Sequence, residues 1–509
     1  MSILAYGRLI GAGYVLVREG ALSIIDIKNL PRSATSVIWF LRLFERRSVK
    51  KTGKVERLNK ALHRLGPTYV KFGQILATRP DIVGEQVAND LSSLQDRMKP
   101  FDEKLVPKII NEALGEKAKD IIDLSKPIAA ASIAQVHKAK IKNEDGIEEI
   151  VAVKILRPGV RERFRKDIKS YYAAAAVLEK FVPVMRRLNP KKVVQILDNS
   201  ARLELDLRFE AASISEFLEN IKDDEGFDAP EVKWGYIDEN LLVTSWVEGV
   251  PIRNGKALDE LKIDRKKLAE HLMQSFLRHA IRDGFFHADM HPGNLFADKK
   301  THGVIAVDFG IMGRISSVER RFLAEIIYGF IKRDYKRIAK MHFDIGYVPK
   351  TKSVDEFALA LRSIGEPIQG RKSSDVSMAK LLGQLLKITE IFDMATRPEL
   401  VLLQKNMVLV EGVAFSLDDD LDIWKVSEPI VGAWLKEQVG MKGKVEQVKQ
   451  HLETISQTIS LLPSMIERAD NIMADFEDKN SNKKNHGFLW FIFGGLSAGL
   501  IVLILGQVN

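Results

Sequence analysis

At 509 residues, the chain exceeds what one hydrophobic core usually supports, so two or more domains are expected. Its 28% charged and 46% hydrophobic residues exclude wholesale disorder, and the lack of cysteine excludes disulfides and thiolate metal centres and suits a reducing compartment. The net charge of +9 is modest, and Lys and Arg are interleaved with acidic residues, so nucleic acid is not an expected partner.

The N-terminus, MSILAYGRLIGAGYVLVREGALSII, has Arg8 and Arg18 interrupting its apolar run and lacks a small-residue cleavage pattern. It reads as an amphipathic helix resting on protein or membrane rather than a secretory signal. No strand precedes Gly11-Ala12-Gly13, so those glycines are expected to serve helix packing or a kink, not a dinucleotide loop. Residues 1 to 125 read as a helical extension, broken at Gly66-Pro67 and at Pro80. From Lys126 the texture changes to short β-branched runs, KPIAAASIAQVHKAKI and EEIVAVKIL, on either side of the polar turn NEDG. That pattern predicts an antiparallel pair. Helical periodicity returns from Val160 to about Asn220. The strand-like LLVTSW (Leu241 to Trp246) then leads through GVP into a helix over Asp264 to Arg282.

Next comes FFHADMHPGNLFADKKTHGVIAVDFG, Phe285 to Gly310. Asp289 and Asn294 share a loop, and Asp308 closes a strand before Phe309 and Gly310. Asp-x4-Asn followed by strand-Asp-Phe-Gly is the catalytic and metal-binding order of protein-kinase-like folds. Asn294 and Asp308 offer the hard oxygen ligands that Mg²⁺ on nucleotide phosphates requires. Asp289 is placed to orient or deprotonate an attacking hydroxyl or water. Gly310 is expected to let the backbone turn sharply after the metal carboxylate. Two other readings exist: a zinc or iron site of His287, His291 and Asp289, and a polar loop without chemistry. The metal-site reading leaves Asn294 and Asp308 without a purpose.

A kinase-like site also needs a strand lysine, which VAVK supplies in Lys154 behind the hairpin PIAAASIAQVH. Its partner should be a helix carboxylate, and ARLELDLRFEAAS offers Glu204, Asp206 and Glu210, among which spacing does not choose.

The remainder reads helical to about Ile472 and contains the long apolar segment LVLLQKNMVLVEGVAF. Phe488 to Leu505, FLWFIFGGLSAGLIVLIL, is uncharged throughout and as a helix spans about 27 Å, close to a bilayer's hydrocarbon thickness. Lys483 and Lys484 precede it, so the expectation is a single transmembrane helix with the large N-terminal part in the cytosol. Gly495 and Gly499 form a small-xxx-small pair suited to packing against another helix, as in a homodimer.

With these residues placed, the chain resembles the UbiB family of atypical kinases. The matching stretches are LGPTYVKFGQILATRPD, PIAAASIAQVHKA, VAVKILRP, ELDLRFEA, FFHADMHPGNLF, VDFG and LVLLQKNMVLVEGV, in order over about residues 60 to 415. The resemblance implies an α+β, protein-kinase-like two-lobed fold with an N-terminal helical KxGQ extension (1–125). An N-lobe (126–250), a C-lobe (251–425), C-terminal helices with a spacer (426–486) and one C-terminal transmembrane helix (488–505) would follow.

By motif position, the resemblance makes Glu210 the partner of Lys154. It gives Glu204 and Asp206 to Lys71 of the KxGQ element, which continues through Gly73 and Gln74. Asp289 becomes the catalytic-loop residue, and Asn294 and Asp308 the metal ligands. Ile128, Ala129, Ala130, Ala131, Ser132, Ile133, Ala134, Gln135 and Val136 become the loop over the nucleotide. Alanines stand where ordinary kinases carry glycines, so nucleotide handling should differ.

The resemblance further implies ATP and Mg²⁺ binding and ATPase activity at the bacterial inner membrane in support of ubiquinone biosynthesis. Membrane lipids, polyprenylated quinone precursors and the other biosynthetic enzymes would be the partners. The alternatives are a protein kinase regulating a ubiquinone-pathway hydroxylase and a nucleotide-sensing scaffold without turnover. After Gly310 only IMGRISSVER precedes the next helical pattern, with no activation segment ending in Ala-Pro-Glu. Thr396-Arg397-Pro398-Glu399 lies too late to serve as one. In the family the KxGQ helices pack where a protein substrate would sit, and both features argue against protein phosphorylation.

Overall fold

A computed structural model describes the chain from Ile3 to Val439, except residues 25–35, 37–38, 47–48, 50–52, 78–86, 88–89, 92–97, 143–145, 182–189, 369–383, 385–387, 389–390 and 395–397. The chain divides into two units, Met1–Leu435, which holds every site discussed below, and Lys436–Asn509. Among the described residues no helix is long and apolar enough to cross a membrane. The expected span, Phe488 to Leu505, lies outside them.

The N-terminal run forms α1 (Ile3–Arg18), α2 (Lys54–Leu65) and α3 (Pro67–Ala77). Gly66 separates the last two at a φ of 104°, where a side chain would be strained and would strike the Arg163 guanidinium. Among the described residues a Cβ at Gly11 or Gly13 would meet nothing within 4 Å, so neither glycine is in close packing there.

The small lobe starts earlier than the sequence suggested. Helix α4 (Val106–Leu114) precedes β1 (Ile121–Ile122), β2 (Pro127–Ala130), β3 (Ala134–Lys142) and β4 (Glu148–Leu156). Val106 and Ile110 bury against Ala139, Ile141, Val151 and Val153 of the sheet. A boundary at residue 125 therefore cuts through one packed layer. The expected hairpin is β3–β4, antiparallel over its whole length.

Helices α5 (Val160–Phe181), α6 (Pro190–Glu204) and α7 (Leu207–Ile221) follow. Ile168, Tyr171, Val194 and Leu197 of α5 and α6 share a core with Leu62, Tyr69 and Val70 of α2 and α3. Tyr69 meets Tyr171 edge-on at 5.3 Å and Phe72 stacks on it at 5.0 Å. After β5 (Phe227–Asp228), strand β6 (Leu241–Ser245) completes the small-lobe sheet in the order β1-β3-β4-β6, with β2 on β3.

The large lobe holds β7 (Gly249–Pro251), α8 (Arg265–Leu277), β8 (Phe285–His287), β9 (Leu295–Asp298), β10 (Val304–Ala306) and β11 (Met312–Arg314). Helices α9 (Ser317–Lys332), α10 (Tyr335–Asp344), α11 (Val354–Gly365), α12 (Pro398–Leu417) and α13 (Ile423–Val439) complete it. The first end of α9 is fixed by a capping box between Ser316 and Glu319. Leu268, Leu272 and Phe276 of α8, Leu295 and Val304 of the sheet and Val410 of α12 lie in one core that also takes in Phe217 of α7. The turn ending α8 closes on Gly284 at φ 67°, where a Cβ would sit 2.7 Å from the Ile315 carbonyl. That reversal starts β8, which leads into the loop carrying Asp289 and Asn294. Between Gly310 and α9 only β11 intervenes, paired to β8.

Candidate active site

Sheet register decides what faces the cleft. Val136 pairs with Lys154, while Gln135 pairs with Ile155 and His137 with Val153. Side chains alternate along a strand, so Lys154 and Val136 share one face and Gln135 and His137 the other. On its own face Gln135 is buried, accepts from the Phe101 N–H at 3.0 Å and contacts the His137 ring at 2.9 Å. Its side chain therefore braces the small lobe and does not face the cleft.

Lys154 donates to both carboxylate oxygens of Glu210, at 2.7 and 2.8 Å, and to Asp308 Oδ1 at 2.8 Å. Of the three acids that spacing left open, Glu210 is the partner. Burial pulls the Lys154 ammonium down, but the carboxylates of Asp308 and Glu210 outweigh it and hold its pKa above the ordinary lysine value. Lys154 in turn draws the Asp308 carboxyl down to about 2. Glu210 moves the other way because burial prevails over Lys154, and the Phe309 N–H donates to its carboxylate.

Asp308 has φ 64°, in the left-handed region that residues with a Cβ seldom adopt. The sharp turn expected of Gly310 is thus made at Asp308 itself, since Gly310 has no positive φ. Phe309, 1% exposed, anchors it, with its ring 5.0 Å from those of Phe217 and His287.

The loop Asp289 to Asn294 is held mainly by its own backbone: His291 N–H donates to Asp289 O and Asn294 N–H to His291 O. Asn294 Nδ2 donates to Asp289 O at 3.1 Å and Asp289 Oδ2 at 3.3 Å. Val307 N–H donates to Asn294 O at 2.8 Å, which joins this loop to the residue before Asp308. Fully buried His287 accepts from the Asp289 N–H through Nδ1 and reaches the Val307 carbonyl through Nε2. His291 Nδ1 accepts from Gly293 N–H. With both His287 nitrogens on backbone, the zinc or iron reading of His287, His291 and Asp289 loses its first ligand. Burial, the largest influence, keeps His287 below the ordinary imidazole value and hence neutral.

The alanine-rich loop folds as a tight hairpin. Ala131 N–H donates to Ala134 O at 2.8 Å, and Arg157 donates to Ala131 O through both Nε and Nη2. The same guanidinium reaches Lys99 O, and Met98 N–H donates to Ala130 O. Ile128 is exposed, Ala129 and Ala130 lie on β2, Ser132 is fully buried, and Ile133 O accepts from the Arg157 N–H.

Lys71 meets Glu204 at 2.5 Å, with both side chains nearly buried, and its charge is felt at Asp308. The KxGQ helix therefore reaches the site. Gly73 is buried, and Gln74 Oε1 is buried without a hydrogen bond among the described residues. Asp206 departs from expectation. It caps α7 by accepting from Arg208 N–H at 3.1 Å and pairs with the Arg208 side chain at 2.7 Å, which keeps its carboxyl low.

Two residues went unnoticed in the sequence. Asn406, fully buried in α12, accepts from Met290 N–H at 3.0 Å and donates to His287 O at 2.6 Å. Beside it, the Lys405 ammonium lies within electrostatic reach of Asp289 and Lys71. The signal was there to read: Gln404-Lys405-Asn406 is a polar trio inside LVLLQKNMVLVEGV.

Comparison with known proteins agrees with this architecture. The profile of the ABC1 atypical kinase-like domain matches residues 93–342, and that of the UbiB helical domain matches 361–422. The chain is 34% identical over 467 residues to "Probable protein kinase UbiB" of Marinobacter nauticus, covering 91% of this chain and 84% of that protein. It is 34% identical over 514 residues to the protein of the same name from Pseudomonas fluorescens, covering 99% and 95%. Among solved structures, the complex of Rv3197 with erythromycin from Mycobacterium tuberculosis is similar, with TM-score 0.51 and 27% identity over 74% of this chain and 95% of that one.

Proposed function

As the chain belongs to the UbiB family of atypical kinase-like proteins, we propose that it binds ATP with Mg²⁺ between its lobes and cleaves the terminal phosphoryl group in support of ubiquinone biosynthesis. The observation that carries this reading is Lys154 bridging Glu210 and Asp308 while Asn294 and Asp289 stand hydrogen-bonded behind them.

The donor set fits the ion. Asn294 spends its Nδ2 on Asp289, which leaves its carbonyl oxygen as a ligand, and Asp308 adds a carboxylate held ionised. Two hard oxygens completed by phosphate oxygens and water are what Mg²⁺ takes. When bound, the ion supplies neutralisation of phosphate charge. Lys154 exchanges Asp308 for phosphate oxygens and keeps Glu210, which fixes its direction. The Asp289 carboxylate accepts the proton of an attacking water or hydroxyl as its oxygen bonds to the terminal phosphorus and the bond to the ADP oxygen breaks.

A small acceptor, water or a lipid precursor, is favoured over a protein. The stretch from Gly310 to Ser317 is too short for a peptide platform, and the charge of Lys71 on the KxGQ helix is felt at Asp308. We further place the protein on the bacterial inner membrane with its site in the cytosol, beside polyprenylated precursors and the other enzymes of the pathway. The uncharged Phe488 to Leu505 supports this, as do Ile10, Tyr14, Trp39, Phe40, Leu43 and Phe44, all more than half exposed.

The test is nucleotide calorimetry and phosphate release on the full chain in lipid. Wild type should bind MgATP and turn it over, and Asp308→Asn should lose metal-dependent binding. An Asp289→Asn variant that still restores ubiquinone in a deletion strain would show turnover to be dispensable and favour the scaffold. Label moving from ATP to one membrane protein, and lost in Asp308→Asn, would favour a protein kinase.

A further inference from the structure

Three lysines act on the Asp289 or Asp308 carboxylate, Lys154 by direct contact and Lys71 and Lys405 through their charge, and two of the three are committed. Lys154 is held by Glu210 and Asp308, and Lys71 by Glu204. Lys405 is the third. It is half-buried on α12, and among the described residues no hydrogen bond or ion pair reaches its ammonium. Burial and the charge of Lys71 both weigh against its protonated form, and the Asp289 carboxylate alone is felt in its favour. A partly buried cation kept without a partner is costly, so a counter-charge is expected to arrive from outside the protein.

The placement of Lys405 is not accidental. Asn406, the next residue, ties α12 to the catalytic loop through Met290 N–H and His287 O, which flank Asp289. The helix is therefore fixed in register with that loop, and Lys405 rides on the fixed turn. The anion that must pass between Asp289 and Asp308 is a phosphoryl group, with charge spread over three oxygens.

We propose that Lys405 is a phosphate-contacting residue of this site, supplied by the helical domain, whose ammonium donates to the terminal phosphoryl group of the bound nucleotide as it reacts beside Asp289. This rests on the site being a nucleotide site, and it adds a cation that neither the strand lysine nor the KxGQ lysine provides.

The experiment compares MgADP, which lacks the group in question, with a non-hydrolysable triphosphate analogue, by calorimetry on the full-length chain, alongside steady-state phosphate release. In Lys405→Met, ADP affinity should match wild type while affinity for the analogue falls about tenfold. The kcat for hydrolysis should fall roughly 10²-fold, and Lys405→Arg should recover part of both losses. Unchanged discrimination and unchanged kcat in Lys405→Met overturn the proposal. So does equal weakening of both nucleotides, which marks a packing role. Failure of the wild type to bind either nucleotide overturns the nucleotide-site reading, and this proposal falls with it.

Discussion

Asn406 accepts a hydrogen bond from the backbone N–H of Met290, 116 positions earlier, and thereby fastens a helix of the UbiB helical domain to the loop that carries Asp289. Its amide nitrogen serves the His287 carbonyl in the same loop. Replacing Asn406 by Leu leaves one buried donor and one buried acceptor unsatisfied. The expected cost is about 2–4 kcal/mol, read as a lower urea midpoint with the slope preserved. Phosphate release should fall as well, because the loop carrying Asp289 loses its brace.

Lys154 and Glu210 form a buried ion pair at the centre of the proposed nucleotide site. Lys154→Met removes the phosphate donor and strands Glu210, so both affinity and stability should drop. Glu210→Gln keeps the shape and leaves Lys154 only Asp308 as a full charge. Its expected effect is a smaller stability loss with kcat reduced more than nucleotide affinity, measured by calorimetry beside steady-state kinetics.

The Lys71–Glu204 pair is nearly buried, at 8% and 10% side-chain exposure. Breaking such a pair from one side costs about 3–5 kcal/mol, whereas replacing both partners by apolar residues is often neutral. Lys71→Met should therefore lower the melting temperature, and Lys71→Met with Glu204→Leu should recover most of it. If the double variant melts no higher than the single, the pair is not what holds the KxGQ helix in place.

Arg157 spans Ala131 O and Lys99 O and closes the alanine-rich hairpin. Arg157→Ala should release that hairpin, seen as faster amide hydrogen exchange at Ala131 and weaker nucleotide affinity, with the large lobe unchanged.

Acid stability follows from two buried imidazoles. Burial draws His279 down to about 3, against the pull of Asp224 and with the help of Arg282 and Arg278. Burial likewise draws His342 to about 4. Because the unfolded chain takes up these protons near pH 6.5, their contribution is complete above that pH and drains away as pH falls toward 3–4. The melting temperature should decline from pH 7 to pH 4.5, with a shallower slope in His279→Gln. An unchanged slope would remove His279 from the account.

By itself the sequence determined the order of chemistry: a strand lysine, a helix acid, then Asp289, Asn294 and Asp308 on one loop-and-strand unit. Local rules suffice there, because strand alternation, turn residues and motif spacing act over a few positions. Spacing left Lys154 three acids and the family resemblance pointed to Glu210; the tertiary structure brings that residue to Lys154 across 56 positions, because the contact depends on how α7 packs beneath the sheet. It also sent Gln135 away from the cleft, gave Asp206 to a helix cap, and moved the sharp backbone turn from Gly310 to Asp308. For Lys405 and Asn406 the sequence showed a polar trio in an apolar helix but not what it meets. Their partners lie on a distant loop, and helical periodicity records which face is buried without recording what it is buried against.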